Sequence, residues 1–163
     1  MARDIDIAKC LRKIIPDHKF SVVDNDYTLI KKHELETRAI PTMEQITSVW
    51  LEVLKEIKEA EMRDKAALSL RQIVAPYSQE ERETWHRQVA EAEAYLADPN
   101  ATTLMLDALV AQRGNTKLDQ ATRIRGNRIV FEMAVGTILG IQQSKLDIIA
   151  AATTVEEVEA VTW

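Results

Sequence analysis

The sequence predicts a mainly α protein, with a small α+β N-terminal head (helix, β-hairpin, helix) joined to an all-helical C-terminal body. Apolar residues recur at helical spacing over most of residues 42–163, whereas β-branched and aromatic runs are confined to residues 19–30. Most of the apolar stripes are also bracketed by capping or stop residues. At 163 residues and 46% apolar, the chain has material for one compact domain or for a head plus a body.

Residues 3–15 set Ile7, Leu11, Ile14 and Ile15 on one helical side, and Pro16 ends the pattern. Lys19–Val23 and Tyr27–Ile30 then flank Asp24-Asn25-Asp26, residues that tolerate the left-handed conformations of a tight hairpin turn. A lone hairpin is marginal in water, so it must pack on its flanking helices. Thr42 and Gln45 form a capping box that opens a stripe of Ile46, Trp50, Val53, Ile57 and Ala60. The stripe fails in the charged run 58–65, and a new apolar face starts at Ala66, Leu70 and Ile73. The expected layout is therefore a head at 1–57, a solvated helical connector at 58–65 and a body at 66–163.

Within the body, Ser78 and Glu81 cap a helix carrying Trp85, Val89, Ala92 and Leu96, closed by Asp98-Pro99-Asn100. A short helix follows through Leu106, Leu109 and Val110, and Gly114 stops it. Thr116 with Asp119 starts the longest helix, with Leu118, Ala121, Ile124, Phe131, Val135, Ile138 and Leu139 expected inward. Thr153 to Glu157 caps a final turn.

The net charge of −5 argues against a general nucleic-acid binder, which shows a concentrated basic face. Residues 41–100 hold twelve acidic side chains against seven basic ones, so the acidity is central. The cluster Arg123, Arg125 and Arg128 has no aromatic neighbour and reads as a solvated face. No window approaches the ~18 apolar residues of a membrane span. The opening Met-Ala-Arg-Asp-Ile-Asp lacks a secretory layout, which predicts a cytosolic chain.

No catalytic set, cofactor or metal site is expected. The four glycines, Gly114, Gly126, Gly136 and Gly140, form no phosphate loop, and His18, His33 and His86 lie far apart. His33 beside Glu34 and Glu36 reads as a charged loop, and Asp24-Asn25-Asp26 lacks the glycine and bidentate Glu of a calcium loop. Cys10, the single cysteine, has no partner base in the pattern. The chain therefore reads as a protein binder, not an enzyme.

Gly136-Thr137-Ile138-Leu139-Gly140 places small residues four apart, letting a second backbone approach closely. This serves either tight packing within the chain or a seam between copies, with Val135 and Leu139 beside the glycines. Trp50 and Trp85 lie on stripes as core residues, while Trp163 either folds back or meets a partner. Phe20, Val22, Tyr27 and Leu29 of the hairpin, with Trp163, are the candidate partner-binding side chains.

The run Ala75-Pro76-Tyr77-Ser78 with Glu80 to Trp85 and Gln88 resembles small proteins encoded beside tail-fibre genes of tailed bacteriophages. So do Glu91 to Pro99, Leu106 to Leu109, Arg113-Gly114, and the ending from Ala150 to Trp163. The head, from Pro16-Asp17 to Trp50, resembles the start of small phage tail proteins more loosely. The resemblance implies an assembly chaperone that binds the distal part of tail-fibre subunits and promotes their folding and trimerisation. It would work in the host cytoplasm as a homo-oligomer, a trimer matched to the trimeric fibre. The alternative is a structural adaptor linking fibre to baseplate, carried in the virion tail.

Overall fold

The computed structural model describes residues 4–163. The chain is mainly helical with one antiparallel hairpin, in the order α1 (Ile7–Ile14), β1 (Phe20–Val23), β2 (Asp26–Lys32), α2 (Met43–Val74), α3 (Gln79–Ala97), α4 (Leu104–Arg113), α5 (Lys117–Ala151) and α6 (Val155–Glu159). The start of the expected first helix at residue 3, and the N-terminal Met-Ala-Arg, lie outside the described residues. Two compact units divide the chain: the residues up to Lys65 together with Ile141–Trp163, and Ala66–Gly140.

In the first unit, Asp6 caps α1 by accepting from the Lys9 amide at 3.0 Å. Asp24 and Asn25 take positive φ of 52° and 57°, the left-handed pair that a two-residue hairpin turn requires. The strands pair Phe20 with Lys32, Ser21 with Lys31 and Val23 with Asp26, with a bulge between Ser21 and Val23. Asn25 also holds the turn against the N-terminal segment: its side-chain carbonyl accepts from the Ile7 amide at 2.9 Å, and its amide donates to the Ile5 carbonyl. The core joins Ile7, Cys10 and Leu11 of α1 to Ile46, Trp50, Val53 and Leu54 of α2.

Ala152 and Val158 complete that core. The C-terminal segment expected in the helical body therefore packs with the N-terminal residues. Two lysines of α2 fasten it: Lys55 donates to the Ala150 carbonyl at 2.9 Å and Lys58 to the Val161 carbonyl at 3.1 Å. The expected solvated connector 58–65 is corrected by the same contacts. Helix α2 runs unbroken through it, and its buried face continues at four-residue steps through Leu54, Lys58, Met62 and Ala66. Met62 packs with Ile149 and Val161. Lys58 looked like a break in the stripe, yet a lysine can bury its stem while its ammonium reaches a polar partner.

In the second unit, Ala92 of α3, Leu106 of α4, and Ala121 and Ile124 of α5 form a small buried cluster, with Val89, Tyr95 and Leu96 packed on it. Ser78 caps α3. Thr103 makes no side-chain cap for α4; the Glu91 carboxylate reaches over from α3 and accepts from the Leu106 amide at 2.9 Å. Gly114 ends α4 at φ 70°, where a side chain would be strained. Trp85 is half-buried and meets Tyr77 and Phe131 edge-on, at 5.0 and 5.5 Å between ring centres. Of the residues expected inward on α5, Ala121 and Ile124 are buried and Phe131, Val135 and Ile138 half-buried, but Leu118 and Leu139 are exposed.

Candidate protein-binding surface

The groups that could have carried chemistry are engaged in local structure. Asp26 accepts from both the hydroxyl and the amide of Thr28, and these two hydrogen bonds hold its carboxyl below its ordinary range. Glu36 is gripped by the Arg38 guanidinium at 2.7 and 2.8 Å and by the Lys19 amide at 2.8 Å, which hold its carboxyl well below the usual range. Arg38 also donates to the Asp17 carbonyl, so this network pins the loop after β2 to the approach of β1. His33 accepts from the Leu35 amide at 3.2 Å, a local turn. Cys10 is fully buried, and burial followed by the nearby Asp6 charge pushes its thiol up to about 11. Among the described residues, no three His, Cys, Asp or Glu side chains assemble as a metal site. No helix among them is long and apolar enough to cross a membrane.

The hairpin residues expected to bind a partner divide. Phe20, Val22 and Tyr27 are half-buried and pack against the first unit's core, where the Tyr27 hydroxyl donates to the Pro41 carbonyl at 3.1 Å. They are taken up in holding the hairpin to its helices, the demand that a two-stranded sheet imposes. Leu29 and Trp163 remain outward at 43% and 38% exposure.

The larger apolar surface lies on α5. From Arg125 to Gly140 this helix contains no buried residue, although Ile129–Ile141 is the chain's richest apolar stretch. One side is half-covered: Arg128 pairs with Glu132 at 2.7 Å and with Glu93 of α3, Phe131 meets Trp85, and Val135 lies on this same side. The opposite side carries Gly126, Ile129, Val130, Met133, Gly136, Thr137 and Gly140, all exposed and none charged. Ile129, Val130 and Met133 stand out at 50%, 69% and 68%. The Thr137 hydroxyl donates back to the Met133 carbonyl at 2.8 Å, so this residue too has its polar atom satisfied within the helix.

The glycines on this side need a reason. A glycine inside a helix costs about 0.5–1 kcal/mol relative to alanine, so Gly126, Gly136 and Gly140 together cost about 2 kcal/mol. A Cβ added at any of them would meet nothing within 4 Å. Tight packing within the chain, one of the two readings of Gly136 and Gly140, is therefore excluded. Sequence reasoning found that glycine pair but missed Gly126, Ile129, Val130 and Met133 as its companions. The signal was present as a three-four alternation, which the inward assignment of neighbouring residues obscured. Comparison with known protein families, with curated proteins and with solved structures gives no match.

Proposed function

We propose that this chain is a protein-binding assembly factor, acting as a chaperone for a phage tail fibre in the host cytoplasm. The observation that carries the binding role is the uncharged outer side of α5, uncovered over its most apolar stretch. A helix apolar on nearly every side belongs in an interior, and an exposed patch of this kind on a folded chain marks a protein contact. The tail-fibre assignment comes from the resemblance of the runs at Ala75–Pro99 and Ala150–Trp163. Fibre tips rich in non-local β pairing fold slowly and expose edges that aggregate, and an apolar helical face can shield them.

Co-expression with a tail-fibre subunit tests this reading. The fibre is expected to be soluble and trimeric only when the chain is present, and Val130→Asp with Met133→Asp should remove that effect while helicity is kept. Equal fibre solubility without the chain overturns the chaperone. A fixed copy number in purified virions would instead establish the adaptor.

A further inference from the structure

We propose that the first unit holds a binding site for an arginine of a protein partner, in the cavity between the N-terminal segment, the hairpin and α2. Its described lining residues all belong to that unit, so the site does not depend on the reading of the α5 outer face. The cavity has a volume of about 480 Å³ and opens to solvent. That is within the range of small-ligand sites and enough for one long side chain with the peptide groups beside it. The fold builds its walls in advance. Asn25 ties the hairpin turn to the N-terminal segment through the Ile7 amide at 2.9 Å and the Ile5 carbonyl at 2.6 Å. Trp50 and Ile57, two turns apart on α2, and Val22 of β1 supply the apolar lining. Trp50 is only 4% exposed and is held in the unit's core, so a ligand meets a wall that is already ordered.

The polar groups on the wall divide into satisfied and unsatisfied. Asp6 accepts from the Lys9 amide at 3.0 Å, and its other oxygen lies 3.4 Å from the Lys9 ammonium, so these two charges offset each other. Asn25 is engaged at both ends of its amide. The Asp4 carboxylate and the Trp50 indole N–H have no hydrogen bond or ion pair among the described residues. A donor on a side chain this deeply set calls for an acceptor, because leaving it unmet is unfavourable. Asp4 offers both carboxylate oxygens, the match for the planar fork of a guanidinium. With Asp6 and Lys9 offset, the charge of Asp4 stands alone and selects a cation. An arginine meets all three demands: its apolar stem lies on Val22 and Ile57, its guanidinium pairs with Asp4, and a peptide carbonyl beside it accepts from Trp50.

Titration of the full chain with N-acetyl-arginine amide tests this, followed by the indole N–H signals in nitrogen–proton correlation NMR. The chain has three tryptophans, and Trp85→Phe and Trp163→Phe identify the Trp50 signal by elimination. That signal is expected to shift and to saturate at roughly millimolar probe, as suits a ligand of so few atoms. N-acetyl-citrulline amide keeps the shape without the charge and should bind about tenfold more weakly. Asp4→Asn should weaken the arginine probe by a similar factor, and since Asp4 is exposed that variant keeps its fold. Butylguanidine has the stem and the charge but no carbonyl, and should bind at least about threefold more weakly than the arginine probe. A Trp50 signal that does not move overturns the inference, as does equal binding of the citrulline probe or undiminished binding by Asp4→Asn. Butylguanidine that binds as tightly as the arginine probe overturns the protein partner, since a free guanidine would then suffice. Fibre solubility, measured with Asp4→Asn, reports on the chaperone separately.

Discussion

In the first unit, Ile7, Cys10 and Leu11 meet Ile46, Trp50, Val53 and Leu54, and Ala152 and Val158 close the cluster. In the second, only Ala92, Leu106, Ala121 and Ile124 join as a buried cluster, two of the four being alanines. The second unit nevertheless holds Ile129, Val130 and Met133, which point outward. The first unit thus builds the larger core, although Leu29, Leu35, Ile148 and Trp163 stay exposed on it. The second keeps a thin core and leaves Ile129, Val130 and Met133 exposed. Apolar content alone does not tell these arrangements apart; what does is which helical side each residue occupies and whether a neighbour covers it.

The largest effect should come from cutting into the closed unit. Leu54→Ala removes a fully buried side chain and should cost about 2–5 kcal/mol by denaturant unfolding. A loss below about 1 kcal/mol would mean that the first unit's core is looser than its burial indicates. Lys58→Ala comes next. It strips the Val161 carbonyl of its donor and should cost about 1–3 kcal/mol, with the C-terminal segment becoming protease-sensitive first. A stable, protected C-terminus in that variant would separate Ile141–Trp163 from the first unit.

Glu36 supplies a pH dependence confined to the first unit. Its carboxyl is held below its ordinary value, chiefly by Arg38, so the stabilisation is present above the unfolded-state value near about pH 4.3. It is lost as pH falls from there toward the folded value. Melting temperature should drop below about pH 4, and Glu36→Gln should be less stable at neutral pH with a flatter acid limb. The smallest effect belongs to the open unit. Val130→Ala and Met133→Ala should each change the stability of the chain by less than about 0.5 kcal/mol in denaturant unfolding of the chain alone.

Much of this contrast was legible in the sequence, and the failures follow from specific residues. The hairpin, the caps at Ser78 and Thr154 and the stop at Gly114 rest on local chemistry, which residue type alone can report, whereas the cap at Asp6 was not read from the sequence. The connector was misread because Lys58 sits at a core position, where its charge hides a buried stem. The placement of Ile141–Trp163 depends on contacts from Lys55 to Ala150 and from Lys58 to Val161, far apart in sequence and without periodic trace. On α5 the helix itself was plain, but its apolar residues encircle much of the axis. Periodicity then could not say which side meets the chain's own α3, so Leu118 and Leu139 were turned inward and Met133 went unnoticed.

The claim that the outer face of α5 binds another protein is tested most directly by amide hydrogen exchange of the wild-type chain, alone and with a tail-fibre subunit added. Amides of Ile46–Leu54 in α2 should be protected equally in both, because they lie in the first unit's own core. Amides of residues 126–140 in α5 should gain protection when the fibre subunit is present, because the proposed partner covers that face. Protection in α5 that does not change on adding the fibre would contradict the account.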